Sequence, residues 1–335
     1  MLTRRLGRTG PSVSAIGLGA MGMSDFYGHA DEAESIATID AALDAGVTLI
    51  DTGDFYGMGH NEMLIGTALQ NGALKHNSKR DKAVLSVKFG AQRGPDGAFI
   101  GFAGDAASTK TALAYTLKRL RVDYIDIYRP ARVSPLVPIE ETVGAIADLV
   151  KAGYVRHIGL SEAGAENIRR AHKVHPIVDL QIEYSIMTRS VEGEILAVLR
   201  ELGIGMTAYG VLSRGLISEG ALGGGSISGF RAHSPRFQGE NLDRNLVLVQ
   251  ALKAIADAKG CSVAQLAIAW VAQRGDDIVP LVGARKRVRL TESLGALDIV
   301  LTPQELARID AAVPVGAVAG TRHAPEQMAM LDSER

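Results

Sequence analysis

From about residue 15 onward, short apolar runs rich in β-branched residues alternate with longer segments of helical period. The strand-like runs are Ala15–Leu18, Thr48–Thr52, Val84–Phe89, Tyr124–Tyr128, His157–Leu160, Asp179–Tyr184, Gly205–Tyr209 and Ile278–Val282. Between them, apolar residues recur every three or four positions. Ile36, Ile39, Leu43 and Val47 share one face, with Asp31 placed to cap that helix, Glu34 three residues on, and Gly46 placed to end it. Leu113, Leu117 and Leu120 form a second stripe. Val143, Ile146, Leu149 and Val150 form a third, stopped by Gly153, and Ile195, Val198, Leu199 and Leu202 a fourth, stopped by Gly203. Strict β–α alternation predicts a parallel sheet with right-handed crossovers. Eight repeats with no break in composition favour closure into a single (β/α)8 TIM barrel spanning residues 1–335.

Leu2–Ser14 is too short for a domain and carries Gly7, Gly10 and Pro11 as turn residues, so it reads as a β-hairpin over the barrel floor. Two glycine-rich segments, 90–105 and 213–243, follow strands at their C-terminal ends, the face on which barrel enzymes place their sites. In the second, Phe230, Arg231, Pro235, Arg236 and Phe237 are candidate anchors. Residues 314–335 show little periodicity and read as a mobile tail.

Composition narrows the function. Lys and Arg number 36 against 37 Asp and Glu, which leaves no basic surplus to attract nucleic acid or an anionic membrane. The single cysteine, Cys261, excludes an internal disulfide and a cysteine-based zinc site, and no metal is expected. No run approaches the ~18 apolar residues of a membrane span, and the N-terminus lacks the apolar core of a secretory leader, so a cytoplasmic protein is expected. Oligomeric state leaves no signature.

Gly17, Gly19 and Gly22 fit G-x-G-x-x-G behind an apolar run, the fingerprint of a Rossmann dinucleotide site. Residues 23–30 have no helical period, however, and the helix signal starts only at Asp31. The alternative of a Rossmann dehydrogenase therefore ranks below a strand end that approaches a ligand closely.

Asp51 and Tyr56 flank the end of the second strand and Lys88 the end of the third. Neighbouring strands lie about 4.8 Å apart, so these groups converge at one mouth. Free tyrosine has a pKa near 10, too high for a base at neutral pH, and a close ammonium is expected to lower it. Aspartate would keep the lysine charged. Such a tyrosine can protonate a carbonyl oxygen that is receiving a hydride, or deprotonate an alcohol losing one.

At these residues the chain resembles the aldo-keto reductase superfamily. The likeness runs through Arg5-Leu-Gly-Arg-Thr-Gly, Val13-Ser-Ala-Ile-Gly-Leu-Gly, Asp51 to Gly57, Asn61-Glu62, Gly159-Leu-Ser161, Gln181-Ile-Glu-Tyr184 and Gly283-Ala-Arg-Lys286, in order along the chain. The resemblance implies an NADP(H)-dependent oxidoreductase with a small-molecule carbonyl or alcohol substrate. It makes Asp51, Tyr56 and Lys88 three members of a catalytic tetrad, with Tyr56 the general acid-base. Ser161 and Gln181 would bind the nicotinamide carboxamide, and Tyr209 would stack on its ring. Gly19, Met21, Gly210, Leu212, Ser213, Gly215 and Leu216 would line the cofactor, with the last four wrapping the pyrophosphate. Gly283, Ala284, Arg285, Lys286 and Arg289 would hold the 2′-phosphate end, and Glu292 the adenine amine. Ser293 stands where the family usually has asparagine.

The fourth member departs from the pattern. In Tyr128-Arg-Pro-Ala131-Arg132, Ala131 stands where the family has histidine. His60 or an inward-turned Arg129 are candidate substitutes. A set of three that suffices alone, with room for a bulkier ketone, is the favoured reading. Met23, Met58, Arg129 and Arg231 are the candidate substrate contacts, and Arg231 and Phe237 candidates to close over the cofactor. A barrel that binds NADPH without catalysis, in a regulatory role, is the non-enzyme alternative.

Overall fold

In the computed structural model, which describes residues 1–24, 27–70, 79–225, 227 and 229–335, each strand-like run becomes a strand. An antiparallel pair comes first, β1 (Thr3–Arg5) and β2 (Ser12–Ser14). The barrel strands are β3 (Gly17–Gly19), β4 (Leu49–Gly53), β5 (Val84–Phe89), β8 (Ile125–Pro130), β9 (Val155–Ser161), β10 (Ile177–Glu183), β11 (Gly205–Tyr209) and β12 (Ile278–Gly283). An antiparallel hairpin, β6 (Ala91–Arg93) and β7 (Phe99–Phe102), interrupts them within the 90–105 segment. The eight parallel strands pair in chain order and β12 pairs with β3, closing the barrel.

Around it lie α1 (Glu32–Asp44), α2 (His60–Gln70), α3 (Ala106–Leu120), α4 (Ile139–Lys151), α5 (Ala165–Val174), α6 (Glu194–Leu202), α7 (Glu219–Leu222), α8 (Gly239–Lys259), α9 (Val263–Ala272), α10 (Arg287–Leu294), α11 (Pro303–Ala312) and α12 (Pro325–Met328). Their ends follow local chemistry. The Asp31 carboxylate accepts from the Glu34 amide at 2.7 Å to start α1, and Gly46 leaves it with φ 86°. Ser262 with Gln265, and Thr302 with Glu305, form reciprocal capping boxes on α9 and α11. Among the described residues no helix is long and apolar enough to cross a membrane.

The N-terminal hairpin plugs the barrel floor. Leu6 and Val13 are fully buried against Leu49, Ile127, Val178 and Val279. Gly17 faces the same interior, where a Cβ would lie 2.9 Å from both Leu49 and Leu281 side-chain atoms. After β3 comes a 3-10 turn, Met21–Met23, and among the described residues no α-helix begins before Glu32. The Rossmann reading of Gly17, Gly19 and Gly22 therefore falls, because these glycines serve barrel packing and its turn.

Two loop expectations change. The segment 314–335, read as a mobile tail, packs onto the barrel: the Ala319 amide donates to Asn245 Oδ1 at 2.8 Å, and Asp332 accepts from the Gly164 amide at 2.7 Å. Buried polar contacts of this kind have no hydrophobic period to announce them. The 213–243 segment folds into short turns and enters α8 at Gly239. Phe237 is buried in the core, where it cannot close over a ligand, and Arg236 donates to Thr188 Oγ1 at 2.8 Å. Asp25, Phe26, Ser226, Ser228 and the side chain of Phe230 lie outside the described residues.

Above the apolar plug the barrel interior is polar. Arg129, fully buried, pairs with Asp179 through N–O distances of 3.0 and 3.1 Å and donates to Ser86 Oγ at 2.9 Å. Thr207 Oγ1 donates to Asp179 at 2.5 Å. Gly159 makes room for this pair, since a Cβ there would sit 2.7 Å from Asp179 Oδ1 and 3.1 Å from Arg129 Cζ. Removing one partner of a buried pair leaves an uncompensated charge, a loss of about 3–5 kcal/mol. Arg129→Ala is expected to lower the unfolding free energy by that amount in urea denaturation, and Asp179→Ala added to it to recover much of the loss. A single variant as stable as wild type would contradict the pairing.

Candidate active site

The register of β4 against β5 sets Asp51 opposite Ser86 and Gly53 opposite Lys88. Lys88 Nζ donates to Asp51 Oδ1 in a short bond. Ser86 Oγ and Gln181 Nε2 donate to Asp51 Oδ2 at 2.8 and 2.7 Å. Both charged groups are buried. Burial pulls the Lys88 pKa below its ordinary value, while the charge and hydrogen bond of Asp51 push the other way.

Tyr56 stands on the turn after β4, where Gly57 and Met58 take left-handed φ of 55° and 52° before α2 begins. Its ring is 7% exposed, packed edge-on to Phe55 with centroids 4.7 Å apart, and Lys88 Nζ lies 5.1 Å from its centroid. The phenol does not become acidic as the sequence led us to expect. Burial drives its pKa well above 10 and Asp51 adds to the rise. The cation that most opposes them is Arg132, which follows Ala131 and donates to its carbonyl at 2.6 Å. Sequence reasoning weighed the ammonium's charge but had no means of weighing desolvation.

Ser161 and Tyr209 end β9 and β11, and Gln181 lies near the end of β10, in register with Ser161. The Tyr209 hydroxyl donates to Glu162 Oε1 at 2.7 Å. Beyond Gly210, Ser213, Arg214 and Gly215 take φ of 46°, 59° and 89° in succession. Two consecutive non-glycine residues in the left-handed region carry strain, which concentrates at ligand sites. At the far end, Arg285 donates to the backbone carbonyls of Tyr27, Gly28 and His29 at 3.0 to 3.2 Å. Arg289 pairs with Glu292 at 2.8 Å, and Ser262 Oγ donates to the same carboxylate at 2.9 Å. Ser293 is buried, its hydroxyl donated back to the Arg289 carbonyl.

The model of the aldo/keto reductase family matches residues 15–314. The chain belongs to that family. It is 42% identical to the probable aldo-keto reductase 1 of Glycine max over 324 residues, 95% of this chain and 91% of that one. Among solved structures it is similar to the glycerol dehydrogenase of Gluconobacter oxydans, with TM-score 0.82, 27% identity, and coverage of 96% of this chain and 98% of that one. It is also similar to an aldo-keto reductase of Bacillus halodurans in its holo form, with TM-score 0.77, 25% identity, and coverage of 94% and 97%. An oxidoreductase function and general use of NAD(P)H follow from the family.

Within this aldo/keto reductase the expected residues divide. Asp51, Tyr56 and Lys88 come together at the mouth, with Gln181 bonded to Asp51. Both candidate substitutes for the histidine are engaged elsewhere. His60 turns outward between Ser24 Oγ and Glu32 Oε1, each at 2.9 Å, and Arg129 is sealed inside the barrel against Asp179. Arg129 is therefore no substrate contact. Met23, 1% exposed, is core, whereas Met58 is 60% exposed. Arg231 lies with Cζ 5.9 Å from the Tyr27 ring centroid, and its buried Nε has no hydrogen-bond partner among the described residues.

Sequence reasoning missed Glu162, Arg322 and Asp54. Asp54 is legible only in the fold. Its Oδ2 accepts from the Gly90 amide at 3.3 Å, while Oδ1 is buried with no hydrogen-bond partner among the described residues. Burial, then the nearby Glu62 charge, push its pKa up to about 7. A carboxyl raised in the folded state contributes stability below its unfolded pKa near 4 and loses that contribution as pH rises through about 7. Asp54→Asn is expected to leave the melting temperature nearly unchanged at pH 4 and raise it by roughly 2–4 °C at pH 8. The same shift at both pH values would show that Asp54 does not titrate in this range.

Proposed function

We propose that this protein is an NADP(H)-dependent carbonyl reductase in which Tyr56 is the general acid. The observation that carries the reading is the buried Lys88–Asp51 pair beside an equally buried Tyr56 at the C-terminal mouth of the barrel. The residues fit a nicotinamide dinucleotide phosphate. Ser213, Arg214 and Gly215 form a left-handed run of the kind found at ligand sites, Arg231 Nε has no hydrogen-bond partner among the described residues, and Lys286 and Arg289 are cations where the 2′-phosphate is expected. When bound, the reduced nicotinamide supplies the hydride. Ser161 and Gln181 would bind its carboxamide, and Tyr209 would stack on its ring.

Tyr56 then gives its proton to the carbonyl oxygen as negative charge develops there. Because burial keeps the phenol protonated through neutral pH, it is prepared as an acid, and carbonyl reduction is the direction it serves. Alcohol oxidation needs the phenolate and gains rate as pH rises. Arg132 stabilises the phenolate left behind, and the Lys88–Asp51 pair holds the polar floor beneath it. Ala131 stands where an imidazole is expected, and its smaller side chain favours a bulkier ketone as substrate.

Tyr56→Phe should lower the reduction rate by roughly 100-fold to 10,000-fold, while fluorescence titration shows NADPH binding retained. Ala131→His should keep turnover of small aldehydes and lose that of large ketones. Undiminished reduction by Tyr56→Phe would refute the assignment.

A further inference from the structure

Glu162 follows Ser161 at the end of β9 and is fully buried, with a left-handed φ of 52° that glutamate rarely adopts. Five donors meet its carboxylate. Arg322 grips it in a fork, Nη1 to Oε1 at 2.9 Å and Nη2 to Oε2 at 2.5 Å. Ser333 Oγ donates at 2.6 Å, the Glu183 amide at 3.0 Å and the Tyr209 hydroxyl at 2.7 Å. Arg322 itself is 3% exposed in its side chain and pairs also with Glu334 at 2.8 Å. Its carbonyl accepts from Arg214 at 2.5 Å, and the Ser333 amide donates to the Glu162 carbonyl at 3.1 Å. The C-terminal segment thus ties β9 to β11 directly above the barrel. It lies beyond residue 314, where the match to the family ends.

The phenol oxygen lies at the far end of the ring's long axis, so anchoring it fixes where the Tyr209 ring stands at both of its ends. We propose that Arg322 is a positioning residue for the cofactor, holding Tyr209 through Glu162 and through its own 3.4 Å bond to the Tyr209 hydroxyl, and neutralising the carboxylate beside it. This rests on the reading of Tyr209 as the nicotinamide platform. The two effects are separable. The oxidised nicotinamide ring is cationic and the reduced ring is neutral. A Glu162 carboxylate stripped of its arginine therefore attracts the oxidised form, whereas a loosened Tyr209 weakens both. Burial would raise the Glu162 pKa, but the hydrogen bonds and charge of Arg322 win and hold it well below the carboxylate range. Without Arg322 it keeps the Arg132 charge and the bonds from Ser333, Tyr209 and the Glu183 amide but loses its strongest partner, so it ionises at higher pH than in wild type, which gives the effect a pH signature.

The test is a pair of binding titrations, NADPH and NADP+, on full-length wild type, Arg322→Met, Arg322→Met with Glu162→Gln, Tyr209→Phe and Tyr209→Ala, by fluorescence at pH 7 and pH 9. Arg322→Met should weaken NADPH about 10-fold. It should also shift the ratio of the two dissociation constants toward NADP+ by roughly threefold or more, and more strongly at pH 9. Glu162→Gln added to it should return the ratio to the wild-type value. If Arg322→Met does not fold, Tyr209→Phe, which removes only the hydroxyl anchor, should still weaken both forms severalfold with the ratio unchanged. A wild-type ratio and affinity in Arg322→Met, or unchanged affinity in Tyr209→Phe, would overturn the proposal. If Tyr209→Ala leaves both affinities intact, the platform reading fails instead.

Discussion

The site is organised around a carboxylate and an ammonium held together out of water, Asp51 and Lys88. Neither would stay charged there alone, because desolvating an isolated ion is far more costly than neutralising it. The barrel supplies what the pair needs: Ser86 and Gln181 donate to the second carboxylate oxygen, and Ser86 in turn accepts from Arg129. A chain of contacts thus runs from Lys88 on β5 through Asp51 and Ser86 to the Arg129–Asp179 pair and Thr207 on β11. Five of the eight barrel strands contribute to it. Loss of one member leaves its neighbours with unmet hydrogen-bonding capacity, so the polar layer is rigid as a unit.

Two further buried charges surround this layer with different outcomes. Glu162 is met by Arg322 and remains an anion. Asp54 lacks such a partner and rises toward neutrality. The phenol between these extremes is governed by burial more than by any single charge, which is why Tyr56 remains a proton donor and not a ready base. The proposed chemistry uses that property directly: the proton is already in place when the carbonyl oxygen begins to gain charge.

Much of the fold was legible because strand runs and helix stops are local signals. The β5 and β11 bounds coincide with the apolar runs at Val84–Phe89 and Gly205–Tyr209, and Asp31 caps α1 as its spacing implies. Asp51, Tyr56 and Lys88 were legible because strand ends of a barrel converge. Arg129 was misplaced although alternation could have located it: Ile127 faces the floor plug, so Arg129, two residues on, faces inward as well. Glu162 and Arg322 were not legible, since 160 positions separate them and nothing periodic links them. The contacts of Arg285 to the carbonyls of Tyr27, Gly28 and His29 were not legible either, because bonds to backbone carbonyls leave no trace in residue type.

The protonation state of Tyr56 is the most direct point of attack. Ultraviolet difference titration of wild type against Tyr56→Phe, read as tyrosinate absorbance, isolates this one phenol. No ionisation attributable to Tyr56 is expected below about pH 10, given how strongly burial opposes it. A component titrating near pH 7 to 8, present in wild type and absent from the variant, would contradict the proposed acid role.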